Sequence, residues 1–424
     1  MGPTVYGLFI AFVIVMLLLV TAVFLNLSAS ALTSKLPVEV LDLKSGDTTF
    51  RVVSENGVEK AQVGGISSMS VIVITLLAPL VGFLYYRKKL PTWLCSLLAL
   101  GICVLSVYIG LKQPVVLDGI AASVAGWVPA GLAQWVTAAN LWKLLLSAYV
   151  LVAAGIPVWL LLQPRDFVNV HILYAGLVVL AVGVVGAGLH GAPMNLPMSS
   201  VGEGSHEFGM VWPVMFITIA CGAISGFHSL CAGGTSSKQI ISEPAARRVG
   251  YWAMLLESLL AVCVICVICI GLTPEQYHNW VHVGKQYQVV AFAVAVGKTV
   301  EMGLGFVPVA LGTVFAMLIL EGFIITTLDV AVRLNRYLFE ELWRTLFRNP
   351  PRLLTHYWTN SGLAVVLMLW LAFNNTVQTI WKLFGTANQL LVPFQETLCR
   401  FFRAWRLRYE AYRFSSRAIW AWPV

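Results

Sequence analysis

The chain has 424 residues, 59% of them hydrophobic and only 11% charged, with a formal net charge of +8. Soluble domains carry about 25% charged residues, so this composition excludes a soluble fold and fits a polytopic membrane protein. The excess positive charge is clustered: arginines outnumber acids between residues 333 and 352 and again between 392 and 424. Such clusters flank membrane spans and set their orientation, a reading preferred here to nucleic-acid binding.

A membrane-spanning helix needs about 20 apolar residues. Nine segments qualify in chain order: 5–28, 66–86, 91–112, 142–163, 170–189, 210–230, 250–272, 304–332 and 358–374. A weaker tenth runs 377–395. The first lacks the basic start of a cleavable signal. Residues 33–65 form a polar loop with the turn signal Ser45-Gly46-Asp47, and the alternation from Thr48 to Val53 predicts a short strand. Segment 114–140 reads as interfacial or re-entrant, and 289–300 is too short to cross. If the spans alternate, Arg87 to Lys89, Arg165, Lys238 with Arg247 and Arg248, and the arginines after 333 share one side. That side is the cytoplasm, with the N-terminus inside and the 33–65 loop outside. The expectation is an all-α transmembrane bundle of nine or ten spans in one domain, 1–391, followed by a basic, aromatic-rich tail, 392–424.

The least helix-like apolar stretch is Ile217 to Thr235, ITIACGAISGFHSLCAGGT, with glycines at 222, 226, 233 and 234. In lipid every freed backbone group needs a partner inside the protein or in a water-filled cavity, and discontinuous helices line solute sites in secondary transporters. The stretch therefore predicts a broken helix, with Ser225, Gly226, Phe227, His228 and Ser229 offering polar groups to a solute or ion. His228 either shuttles protons or satisfies freed carbonyls. Thr235 and the hydroxyls after it line a cavity mouth or form a solvated turn. Ser242-Glu243-Pro244 reads as a helix entry, with Ser242 as the cap.

Ionisable groups within spans cost about 2.5–3.5 kcal/mol each and usually face an interior. Glu257, Glu321 and Asp329 are candidate proton acceptors or ion ligands, or else structural contacts between helices; Asp329 has Arg333 one turn on as a local partner. Thr326 and Thr327 either coordinate sodium or bond back to the preceding turn. Asn388 and Gln389, in FGTANQL, suit a hydrogen bond across helices better than solute contact. Cys263, Cys266 and Cys269 read as small apolar side chains rather than metal ligands. No nucleotide loop, zinc motif or nucleophile elbow is present, so no enzyme and no cofactor are expected, only a proton or sodium as coupling ion.

Several blocks resemble the carbon-starvation protein A (CstA) family: WLLLQPRDF at 159–167, WPVMFITIACGAISGFHSL at 212–230, GGTSSKQI at 233–240, RRVGYWAMLLESLLAV at 247–262, TTLDVAVRLNRYLFEEL at 326–342 and LFGTANQLL at 383–391. They span a CstA-like core of about 140–391. The resemblance implies a secondary transporter of the bacterial inner membrane that takes up peptides under nutrient limitation, or pyruvate with a proton, and a distant relation to inverted-repeat transporters. Against the family pattern the chain lacks a first membrane region and departs after Val392. Val330 and Val332 stand where threonines are expected. The alternatives are a pyruvate or small-carboxylate symporter and a shortened binding or sensory subunit that does not transport.

Overall fold

The computed structural model describes residues 3–43, 50–55, 57–197, 199, 201–202, 205, 210, 212, 219, 222, 225–283, 288–347, 349–374 and 383–391. Among the described residues the regular elements are helices and one small sheet. The helices are α1 (Pro3–Leu32), α2 (Val63–Tyr86), α3 (Thr92–Lys112), α4 (Asp118–Ala125), α5 (Ala130–Ala133), α6 (Ala138–Ala153), α7 (Leu162–Leu189), α8 (Gly226–Gly234), α9 (Glu243–Gly271), α10 (Pro274–Tyr277), α11 (Gln288–Leu304), α12 (Val309–Leu346), α13 (Arg352–Thr355), α14 (Tyr357–Asn374) and α15 (383–391).

Six of these are long and apolar enough to cross a membrane: α1 from Thr4, α2, α3, α7, α9 and α12. They bear out the expected all-α transmembrane bundle; of its nine or ten expected spans, six are met among the described residues. Segment 142–163 does not run through. Its helix, α6, ends at Ala153, ahead of Gly155 and Pro157, and a residue preceding proline is pushed away from helical geometry. A Cβ at position 155 would collide with the Tyr357 hydroxyl, so a larger residue there would have to displace that side chain. The 358–374 segment forms α14, and 289–300 forms α11, a helix of 17 residues. Segment 114–140 contains the short helices α4 and α5 and the first residues of α6. Segments 210–230 and 377–395 fall largely outside the described residues.

The chain divides into two units, residues 1–199 with 249–381, and residues 200–248 with 382–424. In the first unit α12, 38 residues long, packs against α1, α2, α6, α7, α11 and α14. Its buried face includes Ala310, Val314, Met317 and Leu318, which meet Ile66 and Ile74 of α2, Val294 of α11 and Ile172 of α7. Small residues bring helices close where no hydrophobic drive separates helix from lipid: a Cβ on Gly312 would lie 2.9 Å from the Gly297 Cα of α11. By contrast α9 and α3 expose Trp252, Leu259, Ile265, Leu97 and Val104, as suits side chains facing acyl chains.

The 33–65 loop carries a three-stranded antiparallel sheet of Leu36–Pro37, Val52–Glu55 and Val58–Ala61, with the third strand central. The hairpin pairs Glu55 with Val58 across Gly57, whose φ of 78° suits a residue without a Cβ. The predicted strand at Thr48–Val53 thus lies slightly later in the chain, and 44–49 is outside the described residues.

In the first unit the basic clusters share one end of the bundle, as expected. The Tyr86 hydroxyl donates to Gln163 Oε1 at 3.0 Å, which sets the Arg87 end of α2 beside the start of α7. Arg333 and Arg336 of α12 reach the last turn of α6 nearby.

Candidate functional site

The polar centre of the first unit starts from two oppositely charged residues in apolar helices. Arg165 lies in the first turn of α7 and Asp329 in the middle of α12, and both side chains are at most 2% exposed. Arg165 Nη1 approaches Asp329 Oδ2 at 2.8 Å and also donates to the Tyr149 hydroxyl of α6. That hydroxyl donates in turn to Asp329 Oδ2 at 3.0 Å. Arg165 Nη2 donates to Thr326 Oγ1 at 2.8 Å, and Asn169 Nδ2 reaches the same oxygen and the Gly322 carbonyl, each at 3.3 Å. Charges cannot be left isolated in a low-dielectric interior, so they pair and their remaining donors find oxygens. The pairing is incomplete. Arg165 Nε, Asp329 Oδ1 and Asp166 Oδ1 are buried with no partner among the described residues. A cavity of about 10 Å³ borders the centre, lined by Val71, Ile74 and Thr75 of α2, Arg165 and Asn169 of α7, and Gly322 and Ile325 of α12.

The structure corrects two assignments here. Asp329 is not held by its helical neighbour Arg333. That arginine instead donates from Nη2 to the Ala153 and Ile156 carbonyls, both at 2.8 Å, while Arg336 Nη1 reaches the Ala154 carbonyl at 3.2 Å. The end of α6 leaves carbonyls without helical donors, and these cations supply them. Arg165 is not a loop cation marking the cytoplasmic side, but a buried partner.

Glu321, two turns before Asp329, is fully buried. Its Oε2 accepts from Ser28 Oγ of α1 at 2.6 Å, and Oε1 has no partner among the described residues. The two threonines part company. Thr327 Oγ1 bonds back to the Phe323 carbonyl at 2.8 Å. Thr326 does the same to Gly322 at 2.8 Å but also accepts from Arg165 and Asn169. Glu257 is exposed on α9.

In the second unit α8 starts after Ser225, which is extended (φ −115°, ψ 132°) and caps it. Ser225 Oγ accepts from the His228 amide at 3.4 Å, and Asn388 Oδ1 of α15 accepts from the Phe227 amide at 2.7 Å. Ser225 Oγ and the Asn388 side-chain amide also bond each other, at 2.9 and 3.1 Å. The freed N–H groups of the first turn therefore end on side chains, as capping requires. A Cβ on Gly226 would sit 2.5 Å from the Asn388 carbonyl oxygen, which explains that glycine. Ser229 Oγ returns to the Ser225 carbonyl at 3.3 Å, and Thr235 closes α8 through its amide to Cys231 at 2.9 Å. His228 and part of Phe227 are accessible. Gln389 Nε2 is buried with no partner among the described residues. Of the interrupted stretch, residues 217–218, 220–221 and 223–224 lie outside the described residues. Ser242 caps α9 as expected, accepting from the Ala245 amide at 3.4 Å.

Four residues of the polar centre escaped sequence reasoning: Tyr149, Arg165, Asp166 and Asn169. The available signal was the Arg165-Asp166-Asn169 run opening an otherwise apolar helix, two charges that lipid would not tolerate alone.

Six long apolar helices, with charge sealed among them and apolar side chains turned outward, define a polytopic α-helical membrane protein. The chain belongs to the carbon starvation protein CstA family, which matches residues 1–288 and 281–403; the match reaches beyond the 140–391 block that carries the motifs. It is similar to the peptide transporter CstA of Escherichia coli (28% identical, 62% of this chain and 46% of that protein). It is also similar to the peptide transporter CstA of Bacillus subtilis (30% identical, 58% and 46%) and to the pyruvate/proton symporter BtsT of E. coli (27% identical, 58% and 44%). The chain thus spans about half the length of the curated relatives it matches. No solved structure matches it.

Proposed function

We propose that the chain acts in secondary transport, taking up peptides across the bacterial inner membrane with a proton as the coupling ion. The observation that carries this reading is the cluster of buried ionisable groups, Arg165, Asp329 and Glu321, inside a bundle whose outer face is apolar. Such groups are expensive in lipid and characteristically mark solute or proton pathways. Membership of a family whose similar members are named peptide transporters supports it. In this reading Glu321, held by one hydroxyl, carries the proton. In the second unit Ser225, Gly226, Asn388 and Gln389 offer polar groups for a solute contact of their own, with His228 accessible beside them. The N-terminus faces the cytoplasm and the 33–65 sheet the opposite side.

Pyruvate is the second reading, favoured by the similarity to a pyruvate/proton symporter. Uptake of labelled peptide and labelled pyruvate into proteoliposomes decides between them, with a pH gradient, a sodium gradient or neither imposed. Accumulation that follows the pH gradient supports the proposal. Binding without accumulation would make the chain a binding subunit instead.

A further inference from the structure

The cavity beside the ion pair has no assigned role, and the chemistry of its wall is specific. It lies between α2, α7 and α12, and its other lining groups are apolar or neutral: Val71, Ile74, Thr75, Asn169, Gly322 and Ile325. Its single cation is Arg165, whose side chain is 2% exposed. Three features fix what this guanidinium can do. Its Nη1 and Nη2 are occupied by Asp329, Tyr149 and Thr326. Its Nε–H is buried and has no acceptor among the described residues. The adjoining space, about 10 Å³, is near the 10–15 Å³ or so that one water-sized oxygen requires. A buried donor left without an acceptor is costly, and the donor group most suited to a carboxylate is the planar guanidinium fork.

We propose that this cavity is a carboxylate subsite in which Arg165 recognises the carboxylate of the carried solute, docked against the Nε–H edge while Asp329, Tyr149 and Thr326 hold the opposite edge. The inference rests on the transport reading and deepens it, because it assigns the solute group and the residue that reads it. Asp329 is then a positioning residue: it fixes the plane of the guanidinium and keeps the charge balanced when the subsite is empty.

The test compares alanyl-alanine with its C-terminal amide, which removes only the carboxylate charge. The full chain in proteoliposomes takes up labelled alanyl-alanine, and each unlabelled compound competes. The expected result is that the amide competes at least tenfold more weakly against the wild type, and that Arg165→Lys, which keeps the charge but loses the fork, narrows this gap. Equal competition by the two compounds in the wild type overturns the subsite, whether or not the variant folds. If no peptide is taken up at all, the transport reading fails. The same two compounds are then compared by thermal shift of the detergent-purified protein, where equal shifts overturn the subsite and a shift with the free acid alone upholds it as a binding site.

Discussion

Arg165 Nη1 and Asp329 Oδ2 stand 2.8 Å apart, an ion pair that joins the start of α7 to the centre of α12 with neither side chain more than 2% exposed. The pair ties two helices together where lipid offers no competing solvent, so its two halves are worth little singly. Removing one partner of a buried pair leaves an uncompensated charge, whereas replacing both with apolar groups is often tolerated.

Asp329→Asn is therefore expected to destabilise the detergent-purified protein by about 3–5 kcal/mol, read as a lowered unfolding midpoint. The double variant Arg165→Met with Asp329→Leu should recover part of that loss. A double variant as unstable as the sum of the two singles would show that the groups do not act as a pair.

Glu321→Gln keeps the oxygen that accepts from Ser28 Oγ, now 2.6 Å away, and removes the proton-binding oxygen. Stability should change by less than about 1 kcal/mol, since one neutral hydrogen bond replaces another. Uptake driven by a pH gradient should disappear, while exchange of labelled for unlabelled solute at equal pH persists. Gradient-driven uptake at the wild-type rate would remove Glu321 from the proton path.

Asn388→Ala strips the acceptor from the Phe227 amide and the partner from Ser225. Loss of a capping side chain costs about 0.5–2 kcal/mol. The expected signature is local: faster amide hydrogen exchange across residues 226–234, with little change in α2 or α12. Unaltered exchange in α8 would mean that the Asn388 bonds do not hold the helix start.

Arg333→Met leaves the Ala153 and Ile156 carbonyls without the donor that each has at 2.8 Å. Buried acceptors left unsatisfied cost about 1–3 kcal/mol, so the unfolding midpoint should fall and exchange at the end of α6 should rise. Arg333→Lys should restore less than half, because one ammonium cannot span both carbonyls with the guanidinium geometry.

Much of the architecture was legible before any coordinates. The runs at 5–28, 66–86, 91–112 and 250–272 became helices within a few residues of their expected ends at most boundaries. The start of α8 could be read because the Ser225 side chain suits a helix cap. The span 142–163 was misread because hydropathy alone does not register the break at Gly155 and Pro157, where α6 ends at Ala153. Glu257 was expected to turn inward, yet α9 presents it outward.

Composition and run length fixed the class of protein, because the bilayer rewards apolar helices of a set length and penalises everything else. Partner choice was settled only in three dimensions. Arg333 is the nearest cation to Asp329 along α12, and local spacing favours it, but the broken end of α6 draws Arg333 to its carbonyls while packing of α7 against α12 delivers Arg165 to the aspartate. Which of two cations meets one anion depends on how helices distant in sequence are arranged around them, and no local pattern carries that information.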